Sequence, residues 1–160
     1  MDENVKIFKA KWVLTISRNP IENGAIAIKN NTIIGVDDQF TVCNKFKGEV
    51  IDLENSIIFP GFVNVHTHLE HRPIDEKVTN YLEFLEKVKT AFDNTDAENK
   101  AKNIAENIKK VVDGGVVALA DFSQYGDSAQ LLLDSPVYAR VFHEMNCLKP
   151  YRAKDVFNEH

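Results

Sequence analysis

The sequence predicts an α/β protein in which a small β unit, residues 1–59, precedes a series of β and α units over residues 60–160. Three observations carry that expectation. Short alternating segments fill the chain before Pro60-Gly61, the hydrophobic period changes from two to about 3.6 after it, and two later apolar runs end in polar residues.

Residues 5–8, 12–16, 25–29 and 32–36 are short strand-like segments bounded by turn residues. Asn30-Asn31 suits a two-residue hairpin whose central positions need positive φ. Residues 50–53 and 57–59 continue the unit. Pro60 then removes a backbone donor beside the flexible Gly61, which ends one strand and redirects the chain. Asn80 with Glu83 three residues on predicts an N-capped helix that buries Tyr81, Phe84, Leu85, Val88, Ala91 and Phe92. Thr95 and Glu98 predict a capping box for a second helix. Its stripe of Ala97, Ala101, Ile104, Ile108, Val111 and Val112 stops at Gly114-Gly115. Residues 116–120 read as a parallel strand buried on both faces and ending in Asp121. Residues 127–133 form a connecting helix, residues 137–142 a second such strand ending in His143-Glu144, and residues 153–158 a further helix pattern. The apolar helix positions and Trp12 are expected in the core.

Composition narrows the function. The chain has 160 residues, 44% of them hydrophobic, a formal net charge of -5 and a pI near 5.5, and its lysines are interleaved with Asp and Glu. That is globular and argues against a nucleic-acid surface. The start, Met1-Asp2-Glu3-Asn4, lacks a basic segment followed by an apolar one, and no run approaches the roughly 18 apolar residues of a membrane helix. The expected location is the cytoplasm, with no membrane partner. Cys43 and Cys147 are isolated and are expected to be reduced and structural.

His66-Thr67-His68 closes the apolar run before it. Residues two apart on a strand share a face, so the two imidazoles point the same way and offer a metal ion two nitrogen ligands. Such a pair can equally be two ordinary polar residues at a strand end. Its position brings the metal reading level with that one, because parallel strands bring their C-terminal tips to one edge. His66, His68, Asp121, His143 and Glu144 all lie at such tips. His143 and Glu144 are adjacent, so only one of them can face the same side as the histidines.

The stretch Ile58-Phe59-Pro60-Gly61-Phe62-Val63-Asn64-Val65-His66-Thr67-His68-Leu69-Glu70 resembles the start of the barrel in the amidohydrolase superfamily. The similarity is to the branch of cytosine-deaminase-like, chlorohydrolase-like and aminofutalosine-deaminase-like enzymes. Trp12-Val13-Leu14, residues 23–28 and Val50-Ile51-Asp52-Leu53 resemble that family's N-terminal β unit, and Arg140-Val141-Phe142-His143-Glu144 its third barrel strand. The resemblance implies a TIM-type (β/α)8 barrel, of which the chain holds about the first three βα units. It also implies a divalent metal on His66 and His68, usually zinc and sometimes iron, and hydrolytic deamination of a small nucleobase- or nucleoside-type substrate by a metal-bound hydroxide. The aminofutalosine-deaminase-like members are the most similar at Glu70, Asp121 and the Phe142-His143-Glu144 segment. Glu70, Asp121, His143 and Glu144 are the candidates for contact with substrate, and His71 is a weaker one.

A complete barrel takes roughly 250 residues. The residues after Gly61 suffice for about three strands, so the remaining metal ligands and the proton-handling groups are expected beyond His160. The leading expectation is therefore the N-terminal part of a metal-dependent hydrolase. The alternative is a non-catalytic remnant that acts as an oligomeric binding or regulatory module. A small metal-binding protein using His66, His68 and His71 is a third reading, and nothing supplies its remaining ligands.

Overall fold

The computed structural model describes residues 5–72, 74, 77–145 and 150–159. Expectations for residues 1–4, Cys147 and His160 lie outside the described residues. The chain divides into two compact units, Met1–Pro60 and Gly61–His160.

The first unit is built around β1 (Val5–Val13). It pairs antiparallel with β2 (Ile21–Lys29), which pairs antiparallel with β3 (Thr32–Asp38). On its other edge β1 pairs in parallel, first with β4 (Glu49–Asp52) and then with β5 (Ile57–Ile58). The two strands expected at residues 5–8 and 12–16 are thus one. Lys9 and Lys11, which look like a polar break, are ladder residues whose ammonium groups meet Asp52 at 2.8 Å and Glu22 at 2.7 Å on neighbouring strands. Ile16 lies beyond the strand with φ of 65°. The hairpin at Asn30-Asn31 forms, with positive φ at Asn30 (54°) and not at Asn31.

A helix that the strand pattern did not predict, α1 (Gln39–Lys45), follows β3. The Asp38 carboxylate caps it, accepting from Thr41 N at 3.0 Å and Thr41 Oγ1 at 2.6 Å. Its Val42 completes a core with Val5, Ile7, Ala25 and Ala27. Cys43 is a half-buried free thiol beside that core. Trp12 is half-buried and lies outside the core.

The second unit holds a parallel sheet ordered β6 (Phe62–Thr67), β7 (Val116–Ser123), β8 (Tyr138–His143). Between the first two strands run α2 (Tyr81–Asp93) and α3 (Ala97–Asp113), and α4 (Ala129–Leu133) joins β7 to β8. A 3₁₀ turn, Pro150–Arg152, leads into α5 (Ala153–Glu159).

Asn80 caps α2 as expected, accepting from Glu83 N at 3.0 Å. The cap of α3 is Asp96, which accepts from Asn99 N at 2.9 Å, and not Thr95. The Thr95 hydroxyl instead donates backward to the Ala91 carbonyl at 2.6 Å and closes α2. Gly114 ends α3, and Gly115 takes φ of 81° to turn into β7.

Ile104 and Ile108 of α3 pack with Leu69, Leu119, Leu132 and Val137 into one core. The rest of the expected stripe is thinner: Val111 and Val112 are half-buried, Ala97 and Ala101 exposed. On α2 only Phe92 is fully buried, while Tyr81 and Phe84 are exposed. β7 is not buried on both faces. Leu119, Asp121 and Ser123 are buried toward the helices, whereas the alternate residues Ala118, Ala120 and Phe122 are half-buried. Helices cover one side of this sheet among the described residues, and that accounts for the difference.

Candidate functional site

The tips of β6, β7 and β8 lie together, as the parallel order requires. The last stretch of β6 is irregular: Asn64 pairs with Leu119 and Thr67 with Asp121, so three steps along β6 match two along β7. This is a bulge at Val65-His66, and the Asn64 side chain braces it by accepting from His66 N at 3.2 Å. Simple alternation therefore does not set the direction of His66. The bulge and the ring beneath it do, because His66 rests on Phe122 with centroids 4.3 Å apart. The His66 and His68 rings stand edge to face with centroids 5.1 Å apart.

His68 is held by its own ring. Its Nδ1–H donates to the Phe122 carbonyl at 2.8 Å, an acceptor that fixes the tautomer and leaves Nε2 with its lone pair. The next residue is tied to the same strand, with Leu69 N donating to Asp121 Oδ1 at 2.8 Å. The loop continues against α3, where Asn107 Nδ2 donates to the carbonyls of Leu69 (3.0 Å) and His71 (3.1 Å). His71 stacks on His68 at 4.8 Å and meets the edge of Phe92 at 5.7 Å. Burial, followed by the neighbouring His68, holds the His71 imidazole below its ordinary pKa.

The other four candidates divide in two. Glu70 is buried and turned inward, accepting from the Ser123 hydroxyl and from Gln124 N at 3.3 Å. Burial raises its carboxyl above the ordinary value, against the opposing pull of the Ser123 hydrogen bond. Asp121 is fully buried on the helix side of β7, across the sheet from Phe122 and the His66 ring. Of the adjacent pair, His143 donates from Nε2 to the Gln124 carbonyl at 2.6 Å, while Glu144 brings Oε2 to 3.8 Å from His68 Nδ1. Glu144 is thus the member that reaches the histidine pair.

Sequence reasoning missed Phe122, Ser123, Gln124 and Asn107. Phe122 was legible as the neighbour of Asp121 that must face the other way, and Asn107 as an amide set between Ile104, Ile108 and Val111. A shallow cavity of about 300 Å³ lies between the loop from Thr67 to Arg72 and the flank of α3 at Asn107 and Lys110. His66 does not line it.

Two imidazoles match the part of a catalytic zinc set that one strand can supply, since such sites use about three protein ligands and leave a position open. The described residues contain no group of three His, Cys, Asp or Glu able to hold a metal. The pair fits a metal and does not complete its shell. Among the described residues, no helix is long and apolar enough to cross a membrane.

No protein-family model matches the chain. The imidazolonepropionase of Staphylococcus saprophyticus is 27% identical over 121 residues, which are 68% of this chain and 29% of that protein. A 5-methylthioadenosine/S-adenosylhomocysteine deaminase of Nitratidesulfovibrio vulgaris is 43% identical over 53 residues, 32% of this chain and 12% of the deaminase. Among solved structures, Helicobacter pylori aminofutalosine deaminase superposes with a TM-score of 0.71 at 21% identity, covering 96% of this chain and 40% of that one. An adenosine deaminase of Xanthomonas campestris with bound zinc gives 0.61 at 17% identity, over 81% of this chain and 31% of that one. The structural likenesses show the fold. The chain spans less than a third of the length of these curated relatives. The relatives and neighbours are deaminases and hydrolases of the amidohydrolase superfamily, the family that the stretch around His66 and His68 resembles.

Proposed function

We propose that these residues are the N-terminal part of a metal-dependent hydrolase that deaminates a nucleobase- or nucleoside-type substrate, with His66 and His68 as two of its metal ligands. The observation that carries this reading is the hydrogen bond from His68 Nδ1–H to the Phe122 carbonyl, which commits one ring nitrogen to the protein and leaves the other its lone pair for a metal. The names of the relatives support the reaction class, and zinc in one neighbour supports the metal, with iron the other candidate. When bound, the metal would supply an activated water at neutral pH.

The chain's own residues prepare that site. Phe122 carries the His66 ring on its face and receives the His68 N–H on its carbonyl, so one residue of β7 orients both imidazoles. Glu144 and the loop at His71 border the pair and are the positions from which a substrate would be contacted. Glu70 and His143 act through the backbone at Gln124. The fold proposed for the second unit is the opening of a (β/α)8 barrel, with the first unit, through residue 59, as its accompanying β domain.

The test is metal content after dialysis against trace zinc, for the wild-type chain and for the His66→Ala, His68→Ala double variant. Zinc is expected in the wild type and not in the variant. Equal, negligible zinc in both would sink metal binding by these residues alone, though not the resemblance to the family. The reaction is tested by ammonia release from nucleobases and nucleosides, measured on the protein that carries these residues together with the rest of its barrel.

A further inference from the structure

We infer that Asp121 is a positioning residue that holds His68 in place through the backbone N–H of Leu69. The inference rests on the reading of His68 as a metal ligand, and it assigns to Asp121 a task other than contact with substrate.

Asp121 is fully buried, and one of its oxygens accepts from Leu69 N at 2.8 Å. Its other oxygen has no hydrogen-bond partner among the described residues. A carboxyl group is an expensive way to fill a buried strand position, because taking it out of water without full hydrogen bonding is penalised. An apolar residue would pack there at lower cost. What the carboxylate adds is an acceptor that reaches across to the residue after His68.

The geometry makes this hold specific. Asp121 is the register partner of Thr67, so it sits beside the last ladder residue before His68. Its side chain fixes the peptide after His68, and the carbonyl of the adjacent Phe122 fixes the ring of His68. Two successive residues of β7 therefore grip one residue of the neighbouring strand end, by backbone and by side chain. After the bulge at Val65-His66 the ladder resumes only at Thr67, so these bonds take over where it stops.

The experiment is ¹⁵N spectroscopy of the His68 ring together with hydrogen exchange at Leu69, on the metal-free chain well above the ordinary imidazole pKa of about 6.5. The wild type should show a single tautomer, protonated at Nδ1, and a slowly exchanging Leu69 amide. Asp121→Asn, whose amide oxygen can accept the same N–H, should keep both. Asp121→Ala should mix the tautomers, speed Leu69 exchange and weaken zinc binding by about 10- to 100-fold, as loss of an outer-sphere partner does. Asp121→Cys, close to Asp in volume and without its acceptor, should repeat the alanine result and replaces it if the alanine variant does not fold. A folded Ala or Cys variant with the wild-type ring pattern and Leu69 exchange overturns the assignment, as does an Asn variant that behaves like alanine. If the metal-free spectra follow expectation and no form of the chain binds zinc, the hold on His68 stands and metal binding by this chain fails.

Discussion

The Ser123 hydroxyl donates to a Glu70 carboxylate oxygen and accepts from Gly126 N at 2.7 Å, so one buried side chain joins the loop after β6 to the turn after β7. Sequence gives little hint of it. Glu70 follows the histidine pair and looks like a group waiting for substrate, yet its acceptors are occupied by Ser123 and Gln124.

Replacing Ser123 with Ala should therefore leave a buried carboxylate oxygen and a backbone N–H each without its partner. The expected loss is about 1–3 kcal/mol, read from urea denaturation of the second unit within the whole chain. A loss below a few tenths would mean that water replaces the hydroxyl.

Glu70 also predicts a pH effect. Its pKa is raised in the folded chain, chiefly by burial, so the folded state binds its proton more tightly than the unfolded one does. The contribution to stability is fully present below the unfolded carboxyl value of about 4.3 and is lost as pH rises through the folded pKa. Glu70→Gln, which keeps an oxygen for Ser123, should remove this dependence and gain on the wild type as pH approaches neutrality. Parallel stability curves for the two proteins from pH 4 to 8 would contradict it.

The close approach at Gly61 gives a packing test. A Cβ there would stand 2.2 Å from Val117 Cγ1, so Gly61→Ala should destabilise the second unit by about 1–3 kcal/mol. Adding Val117→Ala removes the obstructing methyl groups, and the double variant should recover most of the loss. Additive losses in thermal unfolding would place the strain elsewhere.

The two helix-cap positions separate cleanly. Asp96→Ala should cost about 1 kcal/mol by freeing Asn99 N at the start of α3. Thr95→Ala should act on the end of α2, where its hydroxyl meets the Ala91 carbonyl. Residue-resolved hydrogen exchange distinguishes the two, because fraying should begin in α3 for the first variant and in α2 for the second.

Period and punctuation made the elements of the second unit legible, since Asn80, Gly114-Gly115 and the Ile104 and Ile108 spacing are all local signals. The capping residue of α3 was less so, because Thr95 and Asp96 are both good caps and what decides between them is that the Thr95 hydroxyl is already given to the Ala91 carbonyl. In the first unit α1 was hidden: its seven residues are too few to show a period, and Asp38 reads equally as a strand end. Among the site residues, His66 and His68 were visible as a pair, but the bulge that aims His66 depends on the register of β7 and has no local signature. The inward turn of Glu70 was hidden for a similar reason, since it depends on a serine 53 positions away.

Both main-chain polar groups of Gln124 are engaged. Its N–H is taken by Glu70 from the loop after β6 and its carbonyl by His143 from the end of β8. Two successive peptide planes, hinged at the Gln124 Cα, thus carry load from two strand ends that do not pair with each other. A turn about the Gln124 backbone dihedrals changes both hydrogen bonds, so substitutions at Glu70 and His143 should be epistatic, with a combined effect departing from their sum by about 0.5 kcal/mol or more. Evolution could then change neither position freely while the other stayed fixed, and variation at the two should travel together through any lineage that keeps this turn.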